Sequence, residues 1–567
     1  MSWLIAAEGS LNAAEKKFLL ALVPEPLMSF ESEQMFILAG GLQSTCLASE
    51  SSSLMKGWIV CGTGIRVTED SSHIMSSEEW DSEIAAKNAD RDTAEGQYAG
   101  IYWQNGKIEG FVDRIGLRDL YCYSVNKRKI YSTRLDWVSA LQERSRINFR
   151  TFGSRWLTFT QLSTESLLHG IERVKPRKPF EFPMGVSSAS EFTGILRSLT
   201  FLHRTEGKRS LLGISGGLDS RVLLAIYASA HFKDLDLFTF GNEGHPDVRI
   251  SKRICQELHL EQTIYDAPVS RDADFYVREI SRFMRHSNVG RRASSYLHLQ
   301  YYDSLRSNTS IVIDGAFGEL ARRQLLNRLL IKGRKPLRAG DPGGIFRHMQ
   351  VYRGDFFSQE IRKEMELGSK EDIALLVDIL PKISDIGPEN WVDFFAVRAI
   401  LPNVLGYEQS RTDHYVQSFM PFVQPSMLQK ILTLPVKQKR RGVLFRRMIA
   451  ENAPILAKFP LVAGNISYPY GFSVIPSYLW TKVKQRTGGA YHDPSGKQLL
   501  MILKEFILDR IHSRDCIDCA YYDHKKVTAL AEGFYSGNAA FANELDWWLA
   551  FELWRSNVEA FQPMEHR

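Results

Sequence analysis

Short apolar runs broken by Gly, Asn and Asp fill the first 190 or so residues: FILAG (36–40), GWIVCGT (57–63), GQYAGIYW (96–103), KIEGFVD (107–113), LYCYSV (120–125) and KIYST (129–133). Runs of that length and composition predict strands, and so a sheet-dominated first region. The charged, proline-rich segment KPRKPFEFP (175–183) reads as its end, followed by the helical pattern EFTGILRSLTFLHRT (191–205). From Ser210 the texture changes to strand LLGI (211–214), helix DSRVLLAIYASA (219–230), strand LDLFTFG (235–241), a helix from Asp247 to about Leu258, and strand SIVIDG (310–315). Strands alternating with helices predict a parallel α/β sheet. Beyond about residue 320 the pattern is mostly helical and ends in ELDWWLAFELWRSNVEAF (544–561). Its tryptophans, Trp547, Trp548 and Trp554, predict a helix packed on a core.

Length adds the domain count: 567 residues exceed one ordinary core. The reading divides them into 1–188, 189–465 and a helical extension 466–567. Hydrophobic residues at 44% and charged residues at 24% are ordinary globular values. Without a run of about 18 to 20 apolar residues or a basic and apolar leader, a cytoplasmic protein with no membrane span is expected. The net charge of +6, from 71 basic and 65 acidic residues, is too small to argue for nucleic acid. Six scattered cysteines suit a reduced compartment. The one close pair, Cys516 and Cys519, has His512 and His524 nearby but reads as ordinary core or loop cysteines rather than a zinc site.

The chemistry is concentrated in LLGISGGLDSR (211–221), where an apolar strand runs through a Gly-rich turn into a helix. Glycines permit close backbone approach to an anion, and the free N–H groups and dipole of a helix start favour negative charge. Ser215 and Ser220 can donate to phosphate oxygens, alongside the backbone of Gly216, Gly217 and Leu218, while Asp219 can hold Mg²⁺. It is not a Walker A loop, because the Gly-Lys-Ser/Thr ending is absent.

This loop resembles the pyrophosphate loop of the N-type ATP pyrophosphatases, and more narrowly that of the asparagine synthetase family. Further segments match in order. FTFG (238–241), with Phe240 and Gly241, looks like the strand end that lies against adenine. DGAFGE (314–319) stands where the family has S-G-E-G-A-D, with Gly315 in the turn and Glu319 at the metal-binding aspartate. FMPF (419–422) and GVLFRRM (442–448) resemble R-V-P-F and K-x-x-L-R-K-A. Lys458 lies near the position of a lysine that serves acyl transfer, and Glu408 near an acid or base used by ring-closing relatives. In the first region EGQYAGIYW (95–103), DRIGLRDLY (113–121) and GIERVKP (170–176) resemble the family's glutaminase half, but Ser2 stands where its nucleophilic cysteine is required.

The resemblance implies an antiparallel αββα sandwich of the N-terminal-nucleophile hydrolase type, then a parallel-sheet ATP-pyrophosphatase domain with a helical C-terminal region. It implies ATP and Mg²⁺ as cofactors, Asp219 and Glu319 as metal ligands, and an AMP-forming ligase that joins a small-molecule or peptide carboxylate to ammonia or an amine. Intramolecular lactam or lasso-peptide cyclisation, amidation of glycan uronic acids, and a nucleotide-binding remnant stay open. So does association as a homodimer or with a biosynthetic partner protein.

Overall fold

The computed structural model describes residues 2–50, 53–68, 71–85, 93–126, 128–202, 209–230, 235–266, 268–305, 307–412, 415–472, 474–487 and 491–560; at 300, 307–309, 406–411, 474, 475 and 560 only the backbone is described.

The first region forms two antiparallel sheets packed face to face. One has strands in the order 171–173, 121–125, 128–132, 3–8, 35–40 and 28–32; the other runs 46–48, 56–67, 95–104 and 107–112, with 72–74 beside 56–67. Leu4, Ala6, Ile37 and Ala39 of the first sheet meet Ile59, Cys61, Ala99 and Ile101 of the second in one buried layer. The alternate residues Trp3, Ile5, Phe36 and Leu38 are covered by Leu19 of helix Ala13–Leu22. Trp58, Val60 and Tyr98 are covered by Trp80 of helix Ser77–Ala85. Both faces of the inner strands are therefore apolar, which is why Trp3–Glu8 reads as a continuous hydrophobic run. The order of layers is helix, sheet, sheet, helix.

A five-stranded, all-parallel sheet follows, in the order 262–265, 235–240, 209–213, 307–313 and 416–419. Three strands, 209–213, 235–240 and 307–313, lie where the periodicity places them, and Gln262–Tyr265 is an addition to the expected elements. Val416–Phe419 goes beyond the expected helical texture: its four buried residues include Gln417 and Ser418, too short and too polar a run to show a period. The chain winds outward from Arg209–Gly213 in one direction and then in the other, so the switch of direction falls between 209–213 and 307–313. In such sheets ligands bind outside the carboxyl ends of the strands at this point.

The halves are closely knit. Glu95 accepts hydrogen bonds from the Ser426 N–H (2.9 Å) and hydroxyl (2.8 Å), and Gln97 donates to the Ser418 carbonyl at 2.7 Å. Helix Phe149–Leu157 sends Phe149, Phe152 and Trp156 into a core shared with Trp548, Phe551 and Trp554 of the last helix, and Trp547 meets Trp156 edge-on. Phe152 stacks on Trp554 with ring centres 5.8 Å apart. Cys516 is buried in the same core, and among the described residues no cluster of His, Cys, Asp and Glu is arranged to hold a metal. Among the described residues no helix is long and apolar enough to cross a membrane.

Helix Phe149–Leu157 crosses helix Gln359–Ile379 through two glycines: a Cβ on Gly153 would lie 2.1 Å from the Met365 carbonyl oxygen, and one on Gly368 would lie 2.2 Å from that of Arg150. Alanine normally stabilises a helix by about 0.5–1 kcal/mol relative to glycine. At this crossing Gly153→Ala is expected to destabilise instead, by about 1–3 kcal/mol through overpacking, read as a lowered midpoint of thermal unfolding.

Burial pushes Glu95 up to about 7, despite the two bonds from Ser426 that favour its charge. A carboxyl whose folded pKa is raised binds more protons folded than unfolded, so its contribution to stability is full below the ordinary value of 4.5 and is lost as pH rises towards 7. Glu95→Gln is expected to flatten the decline of stability between those two values; an unchanged pH profile would count against a buried, protonatable Glu95.

Candidate active site

The polypeptide leaves strand Arg209–Gly213 through Ser215, Gly216 and Gly217 and enters helix Leu218–Ser229, with Gly217 as the N-cap. The loop is held from several sides. Ser215 N–H donates to the Ser220 hydroxyl (3.2 Å), Gly217 N–H to the Ser215 hydroxyl (3.1 Å), and Gly216 N–H to Asp247 at 2.7 Å. The three loop amides are thus engaged within the protein. The first-turn amides of Leu218, Asp219 and Ser220 have no intrahelical acceptor and remain the natural donors to an anion. Buried Arg221 locks the loop from below, donating to the carbonyls of Gly216, Leu456, Phe459 and Pro460.

The neighbouring strand, Ser307–Ile313, pairs Ile313 with Leu212 and delivers residues 314–319 beside the loop. Gly315 and Gly318 allow this approach: a Cβ on Gly315 would sit 3.3 Å from the Asp219 backbone, and one on Gly318 would sit 2.4 Å from the Asp219 carboxylate. Phe317, in the position of the second glycine of S-G-E-G-A-D, takes a left-handed conformation (φ 65°), which a β-carbon makes costly and which persists only when the surroundings hold it. Phe419 of the next strand accepts the Asp314 N–H at 2.8 Å, so the FMPF segment fixes the base of the same turn.

Asp219 and Glu319 are brought together, with Arg322 between them. The guanidinium donates to Asp219 at 2.6 Å and lies 3.6 Å from Glu319. Burial pushes Asp219 up to about 6; Arg322 opposes this, while Glu319 and Asp314 add to it. Burial also disfavours the charge on Arg322, but Asp219 outweighs it and holds the guanidinium above its ordinary range. The second Asp219 oxygen, Oδ1, is buried and has no hydrogen-bond partner among the described residues.

These groups line a cavity of about 560 Å³ whose floor includes Ser215, Gly217, Leu218, Asp219, Glu319 and Arg322. That size suits a small-molecule ligand. Its roof comes from a hairpin, Leu461–Ala463 with Ile466–Tyr468, and from Ser477, Tyr478 and Thr481 of helix Val474–Arg486. Val462 anchors the hairpin by donating to the Gly216 carbonyl at 2.9 Å. The expected boundary at 465 therefore passes through the hairpin, and residues after it form part of the wall.

Other expected residues lie elsewhere. Phe240 stacks on Tyr301 with centres 4.9 Å apart, and Gly241 (φ 125°) donates to the Tyr265 carbonyl at 3.0 Å, at the end of the next strand outward. Lys458 is exposed, 3.7 Å from Glu257, and is not part of the cavity wall. Arg446 turns to the Tyr470 carbonyl and ring, and Arg447 pairs with Glu451 at 2.8 Å on the surface. Glu408 falls on helix Leu401–Thr412, but its side chain is outside the described residues.

Sequence reasoning missed Arg322, Arg221 and the roof. Arg322 had a readable signal, since it follows Glu319 by three residues, the spacing at which helical side chains meet. The roof had none.

Residues 211–318 match the family model described as asparagine synthase. The matched segment includes the loop, its helix and most of the second turn, and it supports an ATP-dependent ligase of the asparagine synthetase type. No curated protein matches the chain.

The two glycines of the second turn separate by clearance. Gly318→Ala is expected to cost about 1–3 kcal/mol by overpacking against Asp219, and Gly315→Ala distinctly less; equal effects on the thermal midpoint would contradict the contact.

Proposed function

We propose that the protein is an AMP-forming carbon–nitrogen ligase. A carboxylate oxygen of the substrate attacks the α-phosphorus of ATP and pyrophosphate leaves. Ammonia or an amine then attacks the acyl carbon, and AMP departs as the amide forms. The observation that carries this reading is the single cavity in which a helix start, two carboxylates and a guanidinium converge at the switch point of a parallel sheet.

Each group has a task. The first-turn amides of Leu218, Asp219 and Ser220, with the Ser215 and Ser220 hydroxyls, would hold the leaving pyrophosphate, where preorganised donors stabilise developing charge without reorganisation. Arg322 adds a fixed positive charge to the same wall. The residues fit Mg²⁺: Asp219 offers a buried Oδ1 with no other partner, Glu319 stands across the cavity, and this cation typically takes one or two carboxylates with the rest of its shell from phosphates and water. When bound, Mg²⁺ would neutralise phosphate charge and orient the chain of phosphates.

The first region, 1–188, is read as a glutaminase-like domain without glutaminase chemistry. Ser2 is fully buried, and its hydroxyl oxygen accepts from both Arg118 and Thr45 at 3.0 Å. Burial and the Arg118 bond both disfavour this hydroxyl as a nucleophile. The nitrogen would then be ammonia or an amine of a second or the same substrate. In this reading 189–465 is the ATP-pyrophosphatase domain, and 466–567 is an extension that completes the roof of its cavity.

The test is release of AMP and pyrophosphate from Mg·ATP with aspartate, sugar acids and peptide carboxylates offered in turn, each with ammonium, glutamine or neither. Asp219→Asn, which keeps the side-chain shape, is expected to reduce release by about 100-fold or more with unfolding unchanged within a few degrees. Undiminished turnover would overturn the assignment. ATP binding without AMP release from any carboxylate would favour a nucleotide-binding remnant.

A further inference from the structure

A second cavity lies at the junction of the two halves. Arg114, Arg118, Arg173 and Lys175 from the first region and Arg398 from the second line a space of about 110 Å³, and no carboxylate is among the residues lining it. Two cations are already paired: Arg173 with Asp119 at 2.6 Å and Lys175 with Glu165 at 2.8 Å. Arg118 donates to the Ser2 carbonyl at 2.7 Å and to its hydroxyl. Arg114 and Arg398 are in no ion pair among the described residues. Among the described residues the Arg114 Nε is buried without a hydrogen-bond partner, with Glu95 acting on Arg114 only through its field, and Arg398 bonds to the Phe180 carbonyl at 3.1 Å.

The backbone is shaped around this space. Arg398 lies on a π-helical turn, Ala396–Ile400, inserted between helices Pro388–Phe395 and Leu401–Thr412. Such turns are rare, and they frequently occur at functional sites. Gly116, at φ 77°, passes between Pro176 and Pro402 at the wall, where a Cβ would touch each at 3.6 Å. Burying cations near one another is costly unless an opposite charge offsets it. Burial holds Arg398 below the ordinary arginine range, with only the influence of Glu181 opposing it.

We propose that this cavity binds a phosphate-sized oxyanion, either inorganic phosphate or the phosphate group of a small metabolite, and that the bound anion ties the two halves together. At about 110 Å³, against about 560 Å³ for the cavity beside Asp219, the space suits a small tetrahedral oxyanion. Arginine forks match phosphate geometry and supply charge-assisted hydrogen bonds. The site is separate from the ATP cavity, shares no lining residue with it, and does not depend on the ligase reading.

The experiment titrates the full chain with inorganic phosphate, and in a second arm with glycerol phosphate, against potassium chloride of equal ionic strength. Affinity is read by calorimetry and by the rise in thermal midpoint. Arg398→Gln and the surface change Lys175→Gln should each weaken phosphate binding, the former by roughly tenfold, whereas Arg322→Gln, in the other cavity, should leave it intact. Lys175→Gln removes a half-exposed side chain and keeps the test valid if the π-turn variant fails to fold. Binding by inorganic phosphate alone identifies the free ion, and equal binding of the ester identifies a phosphate group. Loss in Arg322→Gln alone, equal loss in all three variants, or no binding by the wild type up to about 10 mM, weaker than the millimolar range, would overturn the proposal.

Discussion

Because Leu212 and Ile313 lie side by side in a parallel pair, the segments that leave their strands must run out side by side as well. That adjacency is the constraint on which the site rests. It sets Asp219 and Glu319 a hundred residues apart in sequence but across one cavity, and it forces the second turn so close to the first that only glycine fits at 318. A helix start supplies N–H groups, and the neighbouring turn supplies carboxylates. Neither alone would distinguish a nucleotide site from an ordinary end of a strand.

The charges add a second layer. Two carboxylates in a partly enclosed space repel, and burial compounds the cost for Asp219. Arg322 lowers that cost by taking one Asp219 oxygen, and the other is buried without a partner among the described residues. The ion pair lies along the cavity wall. It stabilises the acids without saturating them. The loop amides show the same economy: 215–217 are committed to holding shape, and 218–220 face outward from the helix start.

Much of this was legible because the deciding features are local. The strand-loop-helix around 211–221 announces itself through apolar residues, two glycines and a helix-starting Asp-Ser, and the sheet-dominated first region through runs such as Phe36–Gly40, whereas its four-layer order was implied only by the resemblance. What escaped was non-local. Val416–Phe419 becomes a strand only because Ser307–Ile313 offers it an edge. Tyr468 and Tyr478 carry no motif, and they line the cavity together with a hairpin that Val462 anchors on Gly216. Lys458, chosen by its proximity in sequence to a family position, ends in solvent beside Glu257, since a short turn gives no hint of the direction its side chain takes.

Phe152 and Trp156 belong by sequence to the first region and by packing to the last, where they share a core with Trp554. Selection therefore acts on that region in two unequal ways. If its own reaction has lapsed, Ser2 is constrained only by its burial and its bonds from Arg118 and Thr45, while Phe152 is constrained by a core that two regions share. A domain held in this manner is retained as masonry: its inheritance is secured by what leans on it, and its surface is free to take up new work.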